Sequence, residues 1–455
     1  MTTVLDWPGK HAAFTLGRRL VSEGMSRSLG EGSSAEGTRR PGPRLGAGDR
    51  GAQLRDGDGA PQTPDLRENL LLVGDNLPAL TALLATHRGQ VKVIYIDPPY
   101  NTGNAHTYKD HGHDHASWLS FMAPRLLLAR ELLREDGVLF LHLDDVESAW
   151  AQLLGHEIFG EDNALGTLIH QRAKGGGNAP SFVRGHDYIH VWGRDATRVG
   201  PFLTEKKSPA KLEMIDGRRM LVETDVLRAG FGRYARGSER RLMYEDILEV
   251  KGAKKLAEVD AKLASGEYIL RPWGKAGKHA VVRVTPAEKA SSKLYSIIKA
   301  LGGQNDLEPL GLGGVFSYPK PVELVKALVA SQTFFDPEAI VLDFFAGSGT
   351  TAQAVMAANE RDSGSRSFVL VQTPEPLRSK NARAVVAAGG GAGAGGGRGG
   401  PAGGGGPAGG RATSDSGDKA DRAFPTISEL TAERIRRAAE IHSPGMQFTQ
   451  LEVVE

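Results

Sequence analysis

Residues 91–100 read VKVIYIDPPY and residues 339–351 read AIVLDFFAGSGTT. Each is a nearly continuous apolar run that ends in residues unable to continue a strand. Apolar side chains at consecutive positions suit a strand buried on both faces, as in a parallel sheet covered by helices. The first run stops at Asp97-Pro98-Pro99-Tyr100, the second at Gly347-Ser348-Gly349, just before the helical pattern TTAQAVMAAN (350–359). Working outward, Leu70–Val73 is a short apolar run followed by Gly74-Asp75-Asn76 and the helical pattern Leu77, Leu80, Leu83, Leu84. Trp118 to Arg134 predicts an amphipathic helix with Trp118, Phe121, Met122, Leu126, Ala129, Leu132 and Leu133 on one stripe, stopped by Asp136-Gly137. GVLFLHLDD (137–145), YIHVW (188–192) and SFVLVQT (367–373) predict further strands, with a helix over 146–159. This alternation predicts an α/β fold, a doubly wound parallel sheet with helices on both faces.

Composition narrows the classes. Of 455 residues 59 are Gly and none is Cys. Residues 22–65 and 381–421 are low-complexity and nearly free of aromatics, and read as flexible linkers or insertions. The remaining 370 residues are enough for one large domain with a subdomain. The lack of Cys excludes disulfide scaffolds, thiolate zinc sites and cysteine nucleophiles. No apolar run approaches the roughly 18–20 residues of a membrane span, and MTTVLDWPGKHAAFTLGRRL lacks the order of a signal peptide. A soluble, cytoplasmic protein is expected. The net charge of +2 conceals an asymmetry: Glu205 to Ala300 holds 21 Lys/Arg against 13 Asp/Glu, leaving −6 elsewhere. Such a basic block suits a polyanion, although a solvated Lys-rich subdomain would carry the same charge.

Two turns carry chemistry. Successive prolines fix φ and remove two N–H donors, so Asp97-Pro98-Pro99-Tyr100 is stiff and sits where open α/β sheets bind ligands. The Asp97 carboxylate and the Pro98 carbonyl form a pair of acceptors that matches the two hydrogens of an exocyclic amine. A strand ending in a Pro-rich turn with an Asp cap would look the same in isolation. The Gly347-Ser348-Gly349 bend lets backbone approach a ligand beside a helix N-terminus. It is neither a Walker A loop, since no Gly-Lys-Ser/Thr follows, nor GxGxxG.

Together, DPPY and DFFAGSGTT resemble the S-adenosylmethionine-dependent amino-methyltransferases of DNA. The order, with the Gly motif about 240 residues after DPPY, is similar to their permuted β group. LLVGDNLPAL (71–80), NTGN (101–104), WLSFM (118–122), EDGVLFLHLDD (135–145), HEIFGEDN (156–163), GHDYIHVWG (185–193) and FSYPKPVELVKALV (316–329) match further elements in sequence. TISELTAERIRRA (426–438) looks like the closing helix of modification subunits of type III restriction systems, and WPGK (7–10) is seen near the start of some relatives. The resemblance covers about 66–200, 312–380 and 424–441.

It implies transfer of a methyl group to the N6 amine of adenine, with cytosine N4 as the nearest alternative; DPPY rather than SPPY tilts toward adenine. A noncatalytic DNA-binding modification subunit is a further alternative, as is methylation of RNA or of protein amides. Asp97, Pro98, Pro99 and Tyr100 would be catalytic, with Tyr100 stacking on a base extruded from the duplex. Asp343, Phe344, Gly347, Ser348, Gly349 and Thr350 would line the cofactor pocket, Asp75, Lys320 and Pro321 would close it, and Gln372 stands where many relatives place an acid for the ribose. The implied organisation is an N-terminal segment (1–21), a linker (22–65), a catalytic part (66–200), an inserted target-recognition subdomain (201–311), a cofactor-binding part (312–380), a disordered Gly-rich insertion (381–421) and a closing helix and strand (422–455). Within the insert, Arg218, Arg219, Arg233, Arg236, Arg240 and Arg241 are candidates for contacts to double-stranded DNA. A homodimer is common in the family. With no Walker A motif or helicase-like segment, DNA cleavage would fall to a separate restriction subunit, and a solitary methylase fits the length equally.

Three signals are set aside. HGHDH (111–115), with His106, resembles a metal tract but reads better as a polar lid over the base, and no metal is expected. Trp273 reads as core packing. Gln304-Asn305-Asp306 has no evident chemistry.

Overall fold

The computed structural model describes residues 5–31, 52–103, 114–173, 181–205, 211–224, 226–228, 241–273, 277–286, 291–377 and 424–454. The Gly-rich 381–421 stretch lies outside them. The described chain divides into two compact units, 1–200 with 295–455, and 201–294.

In the first unit, helix α1 (Lys10–Glu31) and strands β1 (Gln53–Arg55) and β2 (Pro61–Gln62) precede β3 (Leu70–Val73), α2 (Asn76–His87) and β4 (Val91–Ile96). Residues 22–31, 53–55 and 61–62 therefore form regular structure inside a stretch that composition had marked as linker. Next come α3 (His115–Leu132), β5 (Leu133–Leu143), α4 (Ser148–Phe159), β6 (Ala164–Gln171) and β7 (His186–Gly193). The chain passes directly from α3 into β5 at Leu133, so Asp136-Gly137 lies within the strand and does not end the helix.

The second unit contributes β8 (Leu203–Glu205), β9 (Lys211–Ile215), β10 (Arg218–Glu223), α5 (Ile247–Lys251), α6 (Ala253–Ala264), β11 (Tyr268–Trp273), β12 (Lys278–Pro286) and β13 (Ser291–Lys293). The first unit resumes with β14 (Ile297–Lys299), α7 (Val322–Thr333), β15 (Ile340–Asp343), α8 (Thr350–Asp362), β16 (Ser367–Gln372), α9 (Ile427–His442) and β17 (Thr449–Val454).

One sheet organises the first unit, in the order β14-β6-β7-β5-β4-β15-β16-β3-β17-β1-β2. Its centre, from β5 through β4, β15, β16 and β3 to β17, is parallel. The wholly parallel expectation fails on both sides: β7 runs antiparallel to β5 and β6, and β1 antiparallel to β17 and β2. All six residues of β4 are buried, including Lys92, whose ammonium is paired with Asp136 at 2.9 Å. Helices α1 to α4 pack on one another, and α8 packs on both α7 and α9. The core runs through Leu72, Leu80, Ile94, Leu126, Leu141, Trp192, Leu342 and Val369. One strand pairing positions the site. Val341 and Leu342 stand opposite Val93 and Ile94 in parallel register, so the loops after β4 and β15 leave adjacent strands in the same direction. Two stretches about 240 residues apart thereby meet.

The second unit has its own antiparallel sheet, β11-β12-β10-β9, and a two-stranded β13-β8 pair. Leu227, Leu242, Ile247, Val259, Tyr268 and Val281 form one small core, and Val222, Ala280, Val282 and Val284 another. Residues 295–311, which the sequence reading joined to the insert, belong to the first unit.

Candidate active site

The loops after β3, β4, β15 and β16 surround a cavity of about 220 Å³. Asp75, Asp97, Pro99, Lys320, Asp343, Phe344, Gly347, Ser348, Thr350 and Gln372 line it, as expected from sequence. Pro98, Tyr100, Pro321 and Gly349 do not. Asn76, Tyr95, Phe121, Phe316, Tyr318, Phe345, Val371 and Glu375 also line it, and the sequence reading had named none of them as pocket residues.

Asp97 closes β4. Its Oδ2 accepts a hydrogen bond from Lys320 Nζ at 2.6 Å, while its Oδ1 is buried and makes no hydrogen bond of good geometry. Lys320 Nζ also lies 4.7 Å from the centre of the Tyr100 ring. The Pro99 carbonyl accepts from Trp118 Nε1 at 2.9 Å, which ties the stiff turn to α3. Beyond it, Asn101 adopts φ +63° and donates through Nδ2 to the fully buried Glu147 at 2.6 Å. Burial, with Asp97 next in effect, pushes the Tyr95 and Tyr100 hydroxyls well above 10, so both stay protonated.

The Gly loop is held from three sides. Asp343 Oδ1 accepts from Phe345 N–H at 3.0 Å and Oδ2 from Thr351 Oγ1 at 2.5 Å. Burial pushes this carboxyl up to about 7 against those two hydrogen bonds. Gly347 and Gly349 take φ +53° and +83°, a region that costs other residues strain. A Cβ on Gly349 would meet Thr431 Cγ2 at 3.1 Å. Thr431 donates to the Gly347 carbonyl at 2.6 Å, and Gly347 N–H donates to Gln372 Oε1 at 2.7 Å. Gln372 Nε2 donates in turn to the Thr373 carbonyl at 3.0 Å. Gln372 thus braces the Gly loop through its amide oxygen while also lining the cavity. Glu375, further along the same loop, also lines the cavity.

Beneath the loop lies Arg434 of α9, with no exposed surface. It donates to Ser348 Oγ at 2.7 Å, Thr350 Oγ1 at 2.9 Å and Gln353 Oε1 at 3.0 Å. Burial lowers its guanidinium to about 10, so it remains charged at neutral pH. On the opposite wall Arg125 donates to Asn76 Oδ1 at 2.6 Å, Asn76 Nδ2 donates to the Phe344 carbonyl at 2.8 Å, and Asp75 caps α2 through Leu77 N–H at 2.7 Å. Gln304 and Asp306, set aside in the sequence, shape the third wall. Gln304 Nε2 donates to the Phe316 and Ser317 carbonyls at 2.5 and 3.0 Å, and Asp306 Oδ2 accepts from Val322 N–H at 2.8 Å. These contacts aim the segment that carries Lys320.

Of the other expected residues, Arg233, Arg236 and Arg240 lie outside the described residues, as do His106, His111 and His113. Arg218 and Arg219 open β10, opposite Ile215 and Met214 of β9. The Arg241 guanidinium lies 3.9 Å from the Trp273 ring centre, and Trp273 packs on the second small core, so one residue serves as both packing surface and cation platform. His115 faces Glu147 through Nδ1 at 3.0 Å.

The DNA methylase family profile matches residues 91–372, and the chain belongs to that family, whose members act on N6 or N4 amines. The match takes in the loops after β4 and β15. The chain is 31% identical over 383 residues to the Mod subunit of the type III restriction-modification enzyme EcoPI of Escherichia phage P1, covering 69% of this chain and 59% of that protein. It is 28% identical over 351 residues to the type II methyltransferase M.KpnI of Klebsiella pneumoniae, covering 69% of this chain and 82% of that one. The chain therefore spans about three-fifths of the length of the EcoPI subunit. Among solved structures, the cytosine-N4-specific PvuII DNA methyltransferase is similar over 68% of this chain and 84% of its own, at 10% identity and a TM-score of 0.37. Among the described residues, no helix is long and apolar enough to cross a membrane.

Proposed function

We propose that the chain transfers a methyl group from S-adenosylmethionine to the exocyclic N6 amine of adenine in DNA. The observation that carries this reading is the meeting of two features in one cavity: the Asp97 carboxylate, held by Lys320 at one oxygen and with the Tyr100 hydroxyl beside it, and a Gly loop whose backbone is held by surrounding side chains.

The lining fits the cofactor. Asp75, Asp97 and Glu375 put negative charge around a cavity that has Lys320 as its cation, which suits a sulfonium with an ammonium. Phe344, Phe345 and Val371 supply apolar wall, and Gly347 leaves out a side chain. When bound, the cofactor supplies a methyl group already activated by the sulfonium charge. The chain's own task is then alignment and exclusion of water. Asp97 Oδ1 would accept one hydrogen of the amine; the Pro98 carbonyl, the expected acceptor of the other, belongs to a residue that does not line the cavity as it stands. With the nitrogen fixed there, the Asp97 carboxylate would also be placed to take the proton that the amine gives up on methylation. Lys320 holds the other oxygen of that carboxylate and so sets its angle. Tyr100, beside Lys320 and protonated, offers a ring to the extruded base.

The unit 201–294 is the proposed reader of the DNA sequence, through Arg218 and Arg219 of the β9–β10 hairpin. Double-stranded DNA, a separate restriction subunit and a second copy of the chain are its proposed partners, and the cytoplasm its proposed location. The test is transfer of tritiated methyl groups to unmethylated DNA by wild type and Asp97→Ala. Label in DNA with wild type alone, while calorimetry shows that both bind the cofactor, is the expected result. Label transferred equally by both removes Asp97 from the reaction.

A further inference from the structure

Behind the Tyr95 wall of the cavity, three side chains from three neighbouring strands converge: His142 on β5, His170 on β6 and Asp187 on β7. His170 stands directly opposite Asp187 in the antiparallel register, and His142 opposite Ile189, two residues along the same face. All three are buried, at 0%, 1% and 3% exposure. His142 Nε2 lies 3.3 Å from His170 Nδ1, and Asp187 Oδ2 lies 3.5 Å from the first and 3.7 Å from the second.

The far side of each imidazole is also engaged. His170 Nε2 is 2.9 Å from the Ala300 carbonyl, which can only accept, so Nε2 carries the proton and Nδ1 presents a lone pair to the cluster. His142 Nδ1 is 2.9 Å from the Tyr95 hydroxyl. Arg172 approaches Asp187 Oδ1 at 3.2 Å as an ion pair but without hydrogen-bond geometry. A buried carboxylate and at least one imidazole lone pair therefore face a common point.

The spacing matches a metal. In a tetrahedral zinc site with bonds of about 2.0–2.1 Å, ligand atoms stand about 3.3–3.4 Å apart. An imidazole N–H donated to a backbone carbonyl, and another to a hydroxyl, are the outer contacts that orient ligating histidines. Two nitrogens and one carboxylate oxygen form a donor set for a divalent first-row ion, and need no cysteine.

We propose that His142, His170 and Asp187 bind a zinc ion as three protein ligands, leaving a fourth position open. The ion ties β5, β6 and β7 together beside the turn that carries Asp97. The Tyr100 ring is centred 6.4 Å from the His142 ring, and Tyr95 hydrogen-bonds to it directly, so the site acts by positioning the floor of the cavity.

The experiment uses the full chain, without an affinity tag, dialysed against chelator and then metal-free buffer. Zinc is added back and measured by mass spectrometry, and cobalt is added to a parallel sample for its visible spectrum. The expected results are one zinc per chain, the intense visible bands of four-coordinate cobalt, and a rise in melting temperature on zinc addition. Asp187→Asn should weaken zinc binding at least about 100-fold, and Tyr95→Phe about tenfold. His111→Ala/His113→Ala should leave uptake unchanged. If Asp187→Asn does not fold, the wild-type stoichiometry, cobalt spectrum and melting shift decide. A wild-type chain that takes up no zinc and shows no melting shift overturns the proposal in favour of a hydrogen-bonded chain, with His142 Nε2 donating to His170 Nδ1. Uptake that disappears in the His111/His113 variant overturns it too.

Discussion

Replacing Asp343 by Asn should flatten a pH dependence of stability that the wild type owes to one buried carboxyl. Asp343 is 3% exposed and is pushed up to about 7, chiefly by burial and in part by neighbouring Asp97, against hydrogen bonds from Thr351 and Phe345. Its ordinary value is 3.8. Between those two values the folded chain keeps a proton that the unfolded chain has lost. The stabilisation is thus fully present below the unfolded value and is lost as pH rises through the folded one. A shift of about three units corresponds to about 4 kcal/mol between pH 4 and pH 8. The Asn side chain cannot ionise, and its changed hydrogen bonding costs the same at every pH. Urea unfolding of both proteins at five pH values, without cofactor, isolates the effect as a difference between them. The variant should gain about 4 kcal/mol on wild type from pH 4 to pH 8. A difference that stays level within about 1 kcal/mol refutes the assignment of Asp343 as a buried group protonated near neutrality.

Other perturbations test the walls of the cavity. Gly349→Ala forces a Cβ into a left-handed backbone and toward Thr431, and should cost about 1–2 kcal/mol, read as a lower melting temperature; no change contradicts the geometry of the loop. Arg434→Met strips donors from Ser348, Thr350 and Gln353, and should weaken cofactor binding about tenfold by calorimetry. Unaltered affinity removes Arg434 from the support of the loop. Lys320→Met releases Asp97 Oδ2 and should lower kcat about 10- to 100-fold in single-turnover methyl transfer, and an undiminished rate means that Asp97 needs no such anchor.

Although their pairing came only with the structure, that β4 and β15 are buried strands ending in turns was legible because both are short, largely apolar runs, a pattern that follows from burial on both faces. The direction of β7 was not. Its Tyr188–Trp192 stretch reads as a strand of either direction, and direction depends on connections that pattern alone does not encode. Asp136-Gly137 looked like a helix stop, but the local signal was overridden: Asp136 pairs with Lys92 and Arg134, and is held at about 2, which anchors it within β5. Asp97 and the glycines could be found because their chemistry is local. Arg434, Gln304 and Asp306 could not, since a polar residue in a helix or turn looks solvated until its distant partner is known. The same holds for His142, His170 and Asp187, which come from three strands with no ligand spacing in sequence. The conspicuous HGHDH tract drew attention elsewhere.

The central claim is that Asp97 orients an adenine amine for methylation, and its most direct test identifies the methylated base. Purified chain, unmethylated DNA and S-adenosylmethionine are incubated, the DNA is digested to nucleosides, and the products are separated by mass, with Asp97→Ala alongside. The account predicts N6-methyladenine from the wild type and none from the variant. N4-methylcytosine would contradict the choice of base, and N6-methyladenine from both proteins would contradict the role of Asp97.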